Sequence, residues 1–261
     1  MPQYTPPPQV QTEIRTNVFR PDGRDRIEYS ADYLTGDGLA IGLTRYDYRN
    51  PRVGAQQVRV EFLLGESTST SGYVGAAVTE DGVVPEFGVS TVLLDSDSTS
   101  VRVYYSQGLV LTDPRAVEAL IQSKILGISF GTDDLTAEYR INFNSDAVEV
   151  HEGWLNVKLT NSDFLSLRSY LRVSSAESGF YWSPPYFFST GVLVGYPIPL
   201  GNDATLRVGA QPGLILEDDG VSIGAPVGAQ LRYNPSDELR LAADIGYAYG
   251  MNARLSLSYT F

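Results

Sequence analysis

The stretch "LTAEYRINF" places Leu135, Ala137, Tyr139, Ile141 and Phe143 on one side of an extended chain, and Thr136, Glu138, Arg140 and Asn142 on the other. Successive side chains of a strand point to opposite faces, so each such run has one apolar and one polar face. The pattern recurs along nearly the whole chain. "IEYSADY" sets Ile27, Tyr29, Ala31 and Tyr33 against Glu28, Ser30 and Asp32, and "VRVEF" sets Val58, Val60 and Phe62 against Arg59 and Glu61. "LRLAADIGYAY" and the closing "MNARLSLSYTF" do the same, the last ending on Phe261. A chain patterned this way is all-β. Turn signals stand between the runs: "PDGRD", "TGDG", "NPRVG", "DSDST", "GTDD", "TNSD", "PLGND", "LEDDG" and "NPSD". Run by run, the period gives about sixteen strands. They begin near Val10, Ile27, Leu39, Gln57, Gly72, Phe87, Ser100, Ile125, Leu135, Ala147, Phe164, Phe188, Ala204, Val221, Glu238 and Asn252.

Two stretches depart from the rule. "TDPRAVEALIQSK" has a capping Thr112 or Asp113, Pro114 in the first turn and apolar residues at helical spacing, which predicts a short helix within a loop. In "HEGWLNVKL", Val148 and Val150 fall out of phase with Leu155, Val157 and Leu159, and a β-bulge near Glu152–Gly153 would account for it.

Period alone does not say which face points inward. A soluble sandwich buries the apolar face, whereas a membrane barrel turns it to lipid. Here composition enters. Of the basic residues 17 are Arg and 2 are Lys. A soluble surface is normally richer in lysine, whereas a crowded polar lumen favours the planar guanidinium, which satisfies several carboxylates at once. Tyrosine is abundant, at 17 residues. Tyr33, Tyr46, Tyr48, Tyr104, Tyr105, Tyr233, Tyr247, Tyr249, Tyr259 and Phe261 stand near strand ends, where interfacial girdles lie. Mean hydropathy is −0.12, as expected of strands with one face in lipid and one in water. These features predict a closed antiparallel up-and-down transmembrane β-barrel spanning residues 10–261 in a cell outer membrane, after a proline-rich tail or linker at 1–9. No signal peptide is visible, so the tail reads as the start of a processed or excised chain. A soluble β core packed with tyrosine is the competing reading.

Other classes are excluded more directly. There is no cysteine and a single histidine, which removes disulfides, thiol nucleophiles and the usual metal sites, so no cofactor and no metal are expected. A net charge of −12 is wrong for nucleic acid.

Three further stretches carry a family likeness: "INFNSDAVEVHEGWLNVKL", "SGFYWSPPYFFSTGVLVGY" and the terminal "RLSLSYTF". From about Val110 onward the chain resembles the C-terminal barrels of tetratricopeptide-containing exopolysaccharide-export porins, the outer-membrane components of cellulose and poly-N-acetylglucosamine secretion. It departs from that pattern at Ser145-Asp146-Ala147-Val148, which lacks the expected Asn. The resemblance implies passive export of a polar polymer, an exopolysaccharide, without catalysis. It also implies as partners outer-membrane lipid, the polysaccharide, a periplasmic scaffold or synthase complex, and the barrel-assembly machinery that reads a terminal aromatic. A general or small-solute porin, a non-conducting structural or adhesive barrel and an outer-membrane hydrolase are the alternatives.

The candidate site residues follow. The charged phase assigns Glu28, Asp32, Arg59, Glu61, Arg102, Glu138, Arg140, Arg168, Arg172, Arg207, Arg240, Asp244 and Arg254 to a lumen. They either select a solute or pair with one another. In "GFYWSPPYFF" two prolines stiffen a run of aromatics. Phe180, Tyr181, Trp182 and Tyr186 are candidates for stacking on sugar rings at a pore mouth, or for anchoring at the membrane interface. His151 with Ser145 and Asp146 is the only trace of a hydrolase, and a structural histidine is the simpler reading. Asp133-Asp134 and Asp218-Asp219 read as solvated turn charges.

Overall fold

The structure is a computed structural model that describes residues 8–18, 25–35, 39–49, 52–63, 70–96, 98–160, 165–247 and 251–260. Parts of the turns read at "PDGRD", "TGDG", "NPRVG", "DSDST" and "TNSD" lie outside these residues, as does the strand start read at Phe164. So do Tyr249, Phe261 and residues 1–7.

The alternating runs become β1 (Gln9–Val18), β2 (Arg26–Leu34), β3 (Ala40–Tyr48), β4 (Gly54–Leu63), β5 (Thr70–Thr79) and β6 (Val83–Ser96). They continue as β7 (Thr99–Leu109), β8 (Gln122–Thr132), β9 (Leu135–Asn144), β10 (Glu149–Lys158), β11 (Leu165–Ser174) and β12 (Tyr186–Pro199). The remainder are β13 (Ala204–Ala210), β14 (Gly213–Glu217), β15 (Gly220–Gly224), β16 (Val227–Tyr233), β17 (Leu239–Tyr247) and β18 (Met251–Thr260). All pairings are antiparallel. Four of these segments are two interrupted staves: β13 and β14 pair with successive halves of β12, β13 with β16, and β14 with β15. The breaks fall at Pro212 and Pro226, since proline has no N–H to give the ladder. Bonds from Gln211 N–H to the Pro226 carbonyl (2.8 Å) and from Val192 N–H to the Pro212 carbonyl (3.1 Å) carry the wall across them. The described residues thus form a sixteen-stranded wall. β1 pairs with both β2 and β18, so the sheet closes on itself, while among the described residues β15 is paired on its β14 side alone. Closure is what a bilayer demands, because lipid cannot satisfy an open edge.

Register fixes the faces. Leu241, Leu257, Thr12, Ala31 and Leu43 form one row across five strands. Leu43 and Leu257, like Val74, Leu126, Ile245 and Leu255 elsewhere, are exposed on the outside. The next row is Arg240, Ser258, Gln11, Asp32, Gly42 and Arg59, facing in. An exterior so apolar belongs in hydrocarbon. Placing Arg at Leu241 or Ile141 should cost roughly 2–4 kcal/mol near the bilayer midplane, read by denaturant titration in lipid vesicles. Tolerance of Arg at both sites would contradict the lipid-facing assignment.

One end is filled from within. The segment joining β7 to β8 carries α1 (Pro114–Glu118), begun by Asp113, whose side chain accepts from the Arg115 N–H at 3.0 Å. Ala116 and Val117 are fully buried. Val117 packs with Tyr46, Tyr48, Ala55, Ala77 and Val84 on β3–β6. Ala116 packs with Ile121, Val148, Val150 and Tyr181 on the opposite side. Leu120 ends the helix at φ 50. That is a left-handed conformation costly for a non-glycine residue, held here by packing of its side chain on the β3–β6 cluster.

Two corrections follow, and the plug has a part in both. β10 runs without a bulge, in continuous register with β9 and β11. Val148 and Val150 look out of phase because they turn inward onto α1. The actual register shift lies in β6, between Val92 and Leu94. Tyr46, Tyr48 and Tyr104 are not girdle residues: they face the lumen. Tyr46 reaches Gln57 (3.4 Å), Tyr48 the Leu111 carbonyl (2.5 Å) and Tyr104 Glu138 (2.5 Å). Tyr33, Tyr233, Tyr247 and Tyr259 are exposed outside.

Candidate functional site

Register places every charged residue assigned to the lumen on the inner face. Arg207, Gln230, Asp244, Arg254, Arg15, Glu28 and Tyr46 make a single row. Glu61 lies beside Tyr73, and Arg102 beside Ser129 and then Glu138. Several of them pair. Arg254 bonds Glu13 at 2.5 Å, and Arg59 bonds Glu86 at 3.2 Å, where Gln57 also donates at 2.7 Å. Glu13, Arg15, Glu86 and Glu152 belong to this inner set as well, although the sequence reading did not single them out.

Glu152 organises the wall of β9–β12. It is 3% exposed and accepts from Arg140 (2.7 Å), Asn142 (2.8 Å), Tyr170 (2.7 Å) and Arg172 (3.0 Å). A buried carboxylate with this many donors is held fixed, and in turn it fixes two guanidinium groups. Arg140 lies 4.4 Å over the ring of Trp154, and Arg172 lies 5.1 Å over that of Trp182 while bonding the Trp182 carbonyl at 2.7 Å.

The aromatic loop, residues 175–185, lies at the plugged end and divides into anchor and display. Tyr181 is 4% exposed, donates to Asp146 (3.0 Å) and accepts from Asn144 (2.8 Å). Burial, followed by the negative charge of Asp146, pushes its phenol up to about 12. Its ring is thus closed to a solute, contrary to the stacking role read for it. Tyr186 is on the outward phase of β12, opposite Val173, and exposed toward lipid rather than the mouth. Phe180 is partly exposed and Trp182 is 45% exposed.

Trp182 leads into a series that the sequence reading missed. Its ring meets Phe187 edge-on at 5.0 Å between centroids, Phe187 meets Tyr170 at 5.8 Å, and Tyr170 meets Trp154 at 5.2 Å. Phe187, Tyr170 and Trp154 occupy the charged phase of their strands, beside Arg172, Ser189 and Glu138. An aromatic standing in the charged phase was the available signal. Three cavities open along the lumen: about 1060 Å³ by Glu13, Asp32, Arg240 and Arg254; about 710 Å³ by Arg168, Arg207 and Asp244; and about 480 Å³ by Glu138, Trp154, Asn156, Arg168 and Tyr170.

His151 lies on the outer face, bonded to Tyr139 at 2.5 Å and Glu149 at 2.6 Å. Ser145 instead accepts from the Gln122 N–H, and Asp146 serves Tyr181 and Ser178. The residues needed for a hydrolytic triad are therefore directed elsewhere. No group of three or more metal-ligating side chains occurs among the described residues.

Neither a family model nor a curated protein matches the chain. Solved structures do. A bacterial polysaccharide outer membrane secretin superposes with a TM-score of 0.78 at 12% identity, covering 99% of this chain and all of that one. CdiB from Escherichia coli (TM-score 0.59, 11% identity) and CdiB from Acinetobacter baumannii (0.58, 9%) each match 99% of this chain, which spans 64% and 60% of theirs. Together with the closed wall and its apolar exterior, these likenesses show the fold of an outer-membrane β-barrel.

Proposed function

We propose that the protein is a passive conduit for a polar polymer, an exopolysaccharide, and catalyses no reaction. The observation that carries this reading is the lumen itself: charges of both signs in similar number, several of them paired with each other, beside a row of aromatic rings. A lumen with cancelling charges suits a solute that needs hydrogen bonds more than a counter-charge. The family resemblance of the aromatic loop and the last strand supports the same reading. Long connections cluster at the end away from the termini, which is the external end in barrels of this kind. The polymer would enter by the opposite, periplasmic end, delivered by a scaffold or synthase complex. Insertion would use the barrel-assembly machinery.

Single-channel recording in planar bilayers tests this. The protein should show a small conductance that cellohexaose blocks, and Trp182→Ala should weaken the block. A pore that oligosaccharides never block would favour a small-solute porin, and absence of any conductance would favour a structural barrel.

A further inference from the structure

We infer that the inner wall of β9–β12 holds a saccharide-binding subsite centred on Trp154 and Tyr170, reached from the mouth along Trp182 and Phe187. The inference deepens the conduit reading and rests on it for the chemical class of the ligand. Four rings in sequence, with centroids 5.0 to 5.8 Å apart, descend from an exposed tryptophan to one in mid-lumen. A pyranose presents C–H groups on its ring faces and hydroxyls around its edge, so it is bound by an aromatic surface with polar groups at the border. The cavity of about 480 Å³ has this composition. Trp154 and Tyr170 form one side, and Glu138, Asn156, Arg168 and Gln211 supply acceptors and donors beside them.

Two further observations point to a ligand. The side-chain oxygen of Asn156 is buried and finds no hydrogen-bond partner among the described residues. Such an acceptor is costly unless something donates to it; it is closed off from the adjoining cavity, and a turn of the Asn156 amide would present it there to a sugar hydroxyl. The rings are also held before any ligand arrives: Arg140 braces Trp154, the Tyr170 hydroxyl is fixed on Glu152, and Arg172 braces Trp182. A prearranged surface binds with less ordering cost. The ligand class is a neutral or weakly charged run of pyranose units, since Glu138 and Arg168 offer one charge of each sign.

The chain contains 2 tryptophans, both in this series, so intrinsic fluorescence reads the track directly. In Trp182→Phe protein in detergent micelles, cellohexaose should change Trp154 emission saturably. Adding Asn156→Ala should weaken the apparent affinity about fivefold, the loss of one hydrogen bond. Trp154→Phe should leave a separate Trp182 signal, and unchanged heat-modifiable gel mobility checks that each variant is folded. Current block by cellohexaose with Trp154 emission unmoved would overturn the subsite and spare the conduit. A saturable Trp154 response in a barrel that conducts nothing would support the subsite and overturn the conduit. No response in either measurement would overturn both.

Discussion

Glu152→Ala should cost the barrel about 3 kcal/mol, more than any single exterior substitution near a rim. Removing one partner of a buried ionic group leaves the others uncompensated, a loss of roughly 3–5 kcal/mol. The lower end applies because the Arg140 side chain retains 33% exposure and Arg172 retains 17%. The loss has two guanidinium groups behind it, together with Asn142 and Tyr170, all of which lose their common acceptor. Glu152→Gln keeps an acceptor oxygen and should cost less. Urea titration of refolded protein in vesicles, with the two variants compared, measures this. A loss below about 1 kcal/mol for Glu152→Ala, the value of one ordinary hydrogen bond, would show that the cluster is not the organiser of this wall. The same variant should free Trp182, whose ring and carbonyl both rest on Arg172, and its emission should shift toward that of solvent-exposed indole.

Replacing residues 112–119 by a Gly-Ser segment of equal length should raise single-channel conductance severalfold. α1 bridges opposite walls with an apolar contact set, Val117 toward β3–β6 and Ala116 toward Val148, Val150 and Tyr181. A dry constriction of this kind obstructs ions more than its width alone suggests. The wall below it is already open, as the lumen cavities show. Val117→Asp tests the same contact with one residue: a carboxylate cannot remain in that cluster without a partner, so α1 should leave its seat and conductance should rise. Wild-type conductance in both variants would mean that the plug does not limit flow.

Most of the wall was legible in the sequence because a barrel strand states its two faces residue by residue. The sixteen strand starts fall within a few residues of the structure, and even the broken staves were counted correctly, since β13 with β14 and β15 with β16 each continue one stave. The face that meets lipid was read from arginine content rather than from period, and the exposed Leu126, Ile245 and Leu255 agree with it. The errors of phase share one cause. Period-two reading assumes that apolar residues all go to one side, and the plug violates this by drawing Val150, Tyr46 and Tyr48 inward. The same assumption hid the aromatic row. Tyr170 stands between Arg168 and Arg172 in "SLRSYLRV", and Trp154 two residues after Glu152, so both were in the charged phase from the start. Tyr181 could not be separated from Trp182 by sequence. What parts them is the Asp146 and Asn144 turn that binds the one phenol and has nothing for the indole.

Paramagnetic accessibility along β18 tests the inside-out barrel most directly. The chain has no cysteine, so single cysteines at Arg254, Leu255, Ser256 and Leu257 can each carry a nitroxide label without background. Pairing with β1 and β17 sets Leu255 and Leu257 outward and Arg254 and Ser256 inward. In vesicles, labels at Leu255 and Leu257 should be relaxed by oxygen, which partitions into lipid, and those at Arg254 and Ser256 by a water-soluble nickel chelate. Nickel accessibility at Leu255 and Leu257 in folded protein, or no alternation at all, would contradict a membrane barrel whose charged face surrounds the path of the solute.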